Sequence, residues 1–143
     1  PQLIDLPRVL GEPVVLRGYP IVMVHAEKIV TAVSRGTANT RWRDFGDVSS
    51  LAGRHDVAGA DLDLAISSVA AHRGVHLLPL GEVLDGFAAL AQPRYATWRR
   101  RHDRDDLPDA FQDLLDGVVA FADPALLGSV TGRRWDAHTT TWV

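Results

Sequence analysis

The sequence predicts a mainly α protein, a helical bundle with a short extended edge at its N-terminus. Apolar residues recur at helical spacing in successive segments from Pro20 to Phe121, and glycine or proline closes most of those segments. Strand-like runs are confined to residues 1–20, where Pro7, Pro13 and Pro20 leave room only for short extended pieces. The 143 residues, 46% of them hydrophobic, are enough for one core and too few to expect two. A single domain over 1–143 follows, with 1–20 as the extended edge and 21–143 as the helical part.

Within the edge, Val14-Val15-Leu16 is the best strand candidate and Leu3-Ile4 a weaker one. Such strands need a sheet to join, and little else here offers one, so partner strands are expected outside this sequence. Pro20 opens a helix at a first-turn position, where its missing N–H is harmless, and the helix is expected to reach about Ser34 before Gly36 stops it. At about 100° per residue, Val22, Ala26, Ile29, Val30 and Val33 share the core face. Lys28 lies on the far side with Ile21, Val24, His25, Ala32 and Arg35, so this second face is half apolar and the helix is expected to be covered on two sides.

Thr40 is placed to cap a second helix from about Arg41 to Ala52, with Phe45, Val48, Leu51 and Ala52 as its apolar stripe. Asp44 falls at the edge of that stripe; Asp47, one turn on, falls further toward solvent beside Arg43. A third helix is expected from Asp61 to about Arg73, with Leu62, Ile66, Val69 and Ala70 inward and Gly74 as its stop. After an extended link from Val75 to Leu80, a fourth helix is expected from Glu82 to Ala91, weakened by Gly86 and ended by Pro93, and a fifth from Arg94 to about Arg104. The last helix should start at Leu107-Pro108-Asp109 and run to about Phe121 on Phe111, Leu114, Leu115 and Val118. The Thr- and Trp-rich tail from Arg133 to Trp142 reads as a docked extended segment anchored by Trp135 and Trp142.

Composition narrows the function classes. Without cysteine there are no disulfides or thiolate metal sites, as suits a reducing cytoplasm. No apolar run approaches the roughly 20 residues of a membrane helix, and no signal-peptide pattern opens the chain. A cytoplasmic protein with no membrane partner is expected. The net charge of -3 supplies no global field for nucleic acid, so a polyanion would need a local patch. The first residue is Pro1, so either an initiator was removed or the chain is a piece of something longer.

Lys28 stands out because it is the only lysine beside fourteen arginines. A compact ammonium with three rotatable donors suits an isolated phosphate oxygen where the planar guanidinium fork does not fit. Lys28 with Asp44 and Asp47 therefore reads in two ways. One is a nucleotidyl-transfer site, with Lys28 on a triphosphate oxygen and a carboxylate serving a metal or the attacking hydroxyl. The other is a structural ion bridge between two packed helices.

Tyr19-Pro20, Ala26-Glu27-Lys28 and Arg35-Gly-Thr-Ala-Asn-Thr-Arg-Trp-Arg-Asp-Phe-Gly-Asp47 carry a resemblance. Over about residues 1–56, and more loosely through the helical remainder and the Trp135 to Trp142 tail, the chain resembles the C-terminal half of the AbiEii-type toxins. These are nucleotidyltransferases of toxin–antitoxin systems that include the mycobacterial MenT toxins. The resemblance implies the C-terminal part of a DNA-polymerase-β-like nucleotidyltransferase, a fold that is α+β when whole. It implies transfer of nucleotides from an NTP, with Mg²⁺, to RNA, in several members the 3′ end of tRNA, so that translation is blocked, and a cognate antitoxin as partner. By the same resemblance Lys28 binds the triphosphate, and Asp44 and Asp47 support catalysis. Arg43, beside Asp47, and His25, one turn before Lys28 on its face, are candidate substrate contacts, although a lone histidine on a half-apolar face also reads as a satisfied polar residue.

The family's Gly-Ser followed by Asp-x-Asp, which holds the magnesium ions, precedes the lysine, and the 27 residues before Lys28 contain no such motif. Asp61-Leu62-Asp63 comes on the wrong side of Lys28 and opens a helix, where aspartate is an ordinary first-turn residue; Asp103-Arg104-Asp105 fares no better. No metal ligands are therefore assigned in this chain, which resembles half an enzyme and is expected to show little or no transfer alone. The alternative function is a non-catalytic truncated module that binds RNA or the antitoxin.

A second cluster joins Arg94, Arg99, Arg100, Arg101 and Arg104 to Tyr95 and Trp98. Arginine on phosphate and aromatics on unpaired bases suit RNA, and Arg94, Arg99, Arg100 and Arg101 are the RNA-binding candidates. A solvated face offset by Asp103, Asp105 and Asp106, or one that meets an acidic antitoxin, is the competing reading. His72 and His76 are spaced i, i+4 but separated by Gly74, which argues against a shared metal.

Overall fold

The structure, a computed structural model, describes residues 19–143; the strand candidates Val14-Val15-Leu16 and Leu3-Ile4 lie outside the described residues. Six α-helices and three short strands follow in the order α1 (Tyr19–Arg35), α2 (Trp42–Ala52), β1 (Val57–Ala58), α3 (Gly59–Arg73), α4 (Leu80–Val83), α5 (Phe87–Arg101), α6 (Phe111–Leu126), β2 (Arg134–Asp136) and β3 (Thr141–Trp142). The mainly α architecture is the one expected.

Helix α1 buries Ala26, Ile29, Val30 and Val33 on the face that its periodicity selects, and Ala32 and His25 on the second face. A helix covered on both sides packs α3 against one flank and α2 against another. The centre of the bundle is aromatic. Trp42 stacks on Phe87 at 5.9 Å and meets Phe111 edge-on at 5.4 Å, while Phe45 meets Phe111 edge-on at 5.6 Å. Such offset and edge-to-face pairs add to the burial energy of the rings. They join α2 to α5 and α6, which fixes the roll of α2 and hence the direction of its carboxylates.

Several boundaries differ from expectation. Thr40 is exposed and does not cap α2; Asn39 does the local work, its Oδ1 accepting the Arg41 backbone N–H at 2.7 Å. The break expected at Pro93 falls instead at Gly86, whose φ of 76° places it in the left-handed region, and α5 then continues through Pro93. Pro93 sits on the exposed side of α5, while Phe87, Ala88, Ala91 and Tyr95 anchor the other side, so packing outweighs one missing backbone bond. Leu107-Pro108-Asp109 does not begin α6. That helix starts at Phe111, whose N–H is accepted by Gln92 Oε1 at 2.7 Å from the neighbouring α5.

The tail folds back as a hairpin. Trp135 pairs with Val57 on one side and Trp142 on the other, giving an antiparallel sheet of order β1-β2-β3. Gly59 allows this closure: a Cβ there would lie 1.7 Å from the Val130 carbonyl oxygen, inside any possible contact. Both tail indoles are anchors, with Trp135 Nε1–H donating to the Ala52 carbonyl at 2.8 Å and Trp142 Nε1–H to that of Phe121 at 3.1 Å.

Candidate functional site

Lys28 leaves the middle of α1 toward the N-terminal half of α2. Its Nζ lies 2.8 Å from Asp44 Oδ1 and 3.1 Å from Asp47 Oδ2, so one ammonium holds both carboxylates. The i, i+3 spacing puts the two aspartates on one side of α2, and the packing of α1 on α2 brings the lysine between them. Asp44 is engaged at both oxygens, because Arg41 Nε approaches its Oδ2 at 2.7 Å. Arg43 is 80% exposed and only grazes Asp47, at 3.9 Å.

Burial graduates the trio. The side chains of Lys28, Asp44 and Asp47 are 23%, 9% and 31% exposed, so Asp44 is the buried anchor and Asp47 the solvent-side partner. Desolvation works to lower the Lys28 pKa, but the hydrogen bonds to Asp44 and Asp47 and their charges outweigh it, and the net shift is upward. Lys28 is thus a firmly charged ammonium. It has three N–H donors, two of which are directed at the aspartates, leaving one for a further acceptor.

Beside the trio lies an open cleft of about 470 Å³ whose walls include Met23, Lys28, Thr31, Arg41, Asp44 and Arg73. Arg73, at the end of α3, donates to Thr31 Oγ1 at 2.8 Å and pairs with Glu27, so it ties α3 to α1 across the cleft floor. Arg41 and Arg73 were not singled out in the sequence. Arg41 has a readable signal, the i, i+3 spacing to Asp44; Arg73 has none, since only tertiary packing brings it to Glu27.

His25 is brought elsewhere. It is fully buried, does not border the cleft, and packs on Phe121 with ring centroids 4.5 Å apart. Neither of its ring nitrogens has a hydrogen-bond partner among the described residues. Burial first, then the charge of His55, lowers its pKa to about 4, so it is neutral at neutral pH. A substrate cannot reach it in this arrangement.

The arginine cluster divides. Arg99 turns inward, donating to the Leu107 carbonyl at 2.8 Å and pairing with Asp109 at 3.0 Å, so it braces the loop before α6. Arg104 is likewise committed to Asp106, at 3.0 Å. Among the described residues Arg94, Arg100 and Arg101 form no ion pair and are exposed. Among the described residues no group of three or more His, Asp or Glu side chains is placed to hold a metal ion, and no helix is long and apolar enough to cross a membrane.

Residues 1–119 match the family model of the AbiEii nucleotidyl transferase toxin of type IV toxin–antitoxin systems. The chain belongs to this family. AbiEii membership makes it a nucleotidyltransferase-family toxin with an antitoxin as its counterpart, and the matched region contains Lys28, Asp44, Asp47 and all of α5. The match ends inside α6, so the Trp135 to Trp142 hairpin lies beyond it. No curated protein and no solved structure matches the chain.

Proposed function

We propose that the Lys28, Asp44 and Asp47 trio is the triphosphate-binding side of a site that transfers nucleotides from an NTP to the 3′-hydroxyl of RNA, tRNA being the leading substrate. The resemblance to MenT toxins points the same way, and such a toxin would act in the cytoplasm, where NTPs and tRNA meet, by blocking translation. The single observation that carries the reading is the geometry of Lys28. Two of its donors are fixed by aspartates and the third remains for an acceptor at the edge of a cleft of about 470 Å³, a size that fits small-molecule sites. The aspartates orient the ammonium before substrate arrives, and a phosphate oxygen would take the remaining donor, with Arg41 and Arg43 as flanking cations. Release of pyrophosphate would accompany formation of the new phosphodiester bond.

Magnesium does not fit the trio itself. Both Asp44 oxygens already face cations, and Asp47 Oδ2 faces Lys28, so the trio keeps only Asp47 Oδ1 open, beside an ammonium, which is a poor start for the octahedral oxygen set that magnesium requires. No step is assigned to the metal on these residues.

Two measurements test the proposal. Equilibrium binding of each NTP reads the triphosphate contact, and loss of one charge-assisted hydrogen bond in Lys28→Ala should weaken it by about tenfold or more. Equal NTP affinity for Lys28→Ala and the unaltered chain would overturn the assignment. Incubation with tRNA and each labelled NTP reads transfer. Robust, Lys28-dependent transfer by this chain would show that it is sufficient by itself, against the expectation of half an enzyme, whereas RNA bound with no NTP affinity would favour a non-catalytic binding module.

A further inference from the structure

On the far side of α2 from the trio, a second groove of about 400 Å³ opens along the outer face of α5, bounded by Trp42, Pro93, Arg94, Trp98, Arg101 and His102. Its composition is unusual for a solvated helix face. Arg94, Trp98 and Arg101 stand at i, i+4 and i+7, so they share one side of α5, with the backbones of the two arginines about 10 Å apart along the axis and Trp98 between them. Arg94 and Arg101 form no ion pair among the described residues, although carboxylates are plentiful in the following loop. Asp105, Asp106 and Asp109 are engaged by Arg99 and Arg104, and Asp103 pairs with neither groove arginine, which leaves the groove's own cations without a carboxylate partner among the described residues.

The indole is also held in place. Tyr95 stacks on Trp98 at 6.2 Å, the Arg104 guanidinium sits 5.6 Å from its ring centroid, and His102, whose Nδ1 lies 3.0 Å from the Trp98 carbonyl, tilts against it at 5.5 Å. Trp98 is half-buried, with Tyr95 and Arg104 packed on it and the exposed His102 beside it in the groove wall. This aromatic surface, between two arginines without ion pairs among the described residues, suits a base with phosphate contacts at both ends.

We infer that this groove holds an unpaired nucleotide of a single-stranded RNA segment, its base on Trp98 and its flanking phosphates on Arg94 and Arg101. An acidic peptide would satisfy the arginines but has no use for the indole; a duplex would satisfy the arginines but keeps its bases stacked away from it. A nucleotide uses both. The inference deepens the RNA reading proposed for the toxin and rests on it, and it replaces Arg99, which is internally committed, by Trp98 as a contact.

The test is binding of a short labelled oligoribonucleotide to the full chain by fluorescence anisotropy, which requires no turnover. Trp98→Leu should weaken binding by about tenfold, and Trp98→Phe, which keeps a ring, should retain most of it. Arg94→Ala with Arg101→Ala should lower the slope of log affinity against log salt by roughly 1.4, the share of two single-strand phosphate contacts. Arg133→Ala is the control, since Arg133 is exposed and lies outside the groove. The idea fails if Arg133→Ala weakens binding as much as the groove arginines, if Trp98→Leu binds like the unaltered chain, or if a matched duplex or polyglutamate competes as well as the single strand. Should Trp98→Leu not fold, the exposed arginine pair and Trp98→Phe still decide the matter. Tenfold loss of oligonucleotide binding in the groove variants with NTP affinity unchanged in Lys28→Ala would sink the triphosphate reading and keep the groove; Lys28-dependent NTP binding with groove variants that bind RNA normally would do the reverse.

Discussion

Asp44 sits between two cations, with Lys28 on one oxygen and Arg41 on the other, and it is the most buried member of the trio. Removing its charge leaves Arg41 without its carboxylate and Lys28 with Asp47 alone, at the interface of α1 and α2. Asp44→Asn should therefore destabilise the fold by about 2–3 kcal/mol, whereas Asp47→Asn, at the more exposed position, should stay within about 1 kcal/mol. Chemical denaturation of the two variants checks the ranking, and a larger effect for Asp47→Asn would show that the anchor has been misassigned. His25 carries a different signature. The unfolded chain takes up its proton near 6.5 and the folded chain only near 4, so between those values the unfolded state binds more protons. Stability present above pH 6.5 is then lost as the pH falls toward 4, on the order of 3 kcal/mol. In His25→Leu that part of the slope should vanish, read by denaturation at neutral pH and at about pH 5. Helical phase located Lys28 off the main core face and Asp44 at a buried edge, and both placements follow from residues close in sequence. It could not show that His25, on the same half-apolar face as Lys28, meets Phe121, because that contact is made by a helix almost a hundred residues on.

At the scale of elements, the periodic helices were readable and the junctions were not. The apolar stripes of α1, α2, α3 and α6 are local patterns, and the buried residues match them except at Val22 and Leu51, which are only half-buried. Gly86 and Pro93 competed to end the same segment, and local propensity favoured Pro93; the fixed aromatic contacts of Phe87 and Tyr95 instead carried α5 across it. The start of α6 was equally hidden, since its first free N–H is satisfied by Gln92 from another helix. Gln92 also donates through Nε2 to the Asp109 carbonyl at 3.0 Å, so one amide sets the whole entry to α6. The junction of β1 with α3 is stricter still. Gly59→Ala would drive a methyl group into the Val130 carbonyl, and Gly59 N–H also donates to the Arg133 carbonyl at 2.8 Å. The backbone cannot retreat without breaking that bond, so a loss of about 3 kcal/mol or more is expected, measurable as a lowered thermal midpoint. A neutral Gly59→Ala would mean that the hairpin does not close on α3 in solution.

At the scale of the whole molecule, the family match stops at residue 119 while the core does not. Phe121, Val130 and Trp135 are all buried, and Phe121 is enclosed by His25, Trp135 and Trp142 at centroid distances of 4.5, 4.9 and 5.7 Å. The C-terminal hairpin therefore completes the packing of α1 and α6. It also reaches the site. Ala52 is the last residue of α2, one of the positions whose carbonyl has no partner within the helix, and Trp135 Nε1–H supplies that partner. The helix that presents Asp44 and Asp47 is thus held at its far end by the tail. Trp135→Phe keeps the ring but strands the Ala52 carbonyl in the core, which should destabilise by about 1–3 kcal/mol. Ending the chain after Gly128 removes the hairpin entirely, uncovering Phe121 and Val57 at once. The expected outcome is loss of the near-ultraviolet aromatic signal and of cooperative unfolding, with helical content largely retained. If the shortened chain instead unfolds cooperatively and binds NTP as before, α2 holds its carboxylates in place without the tail, and the hairpin must be explained by something other than support of the Lys28 site.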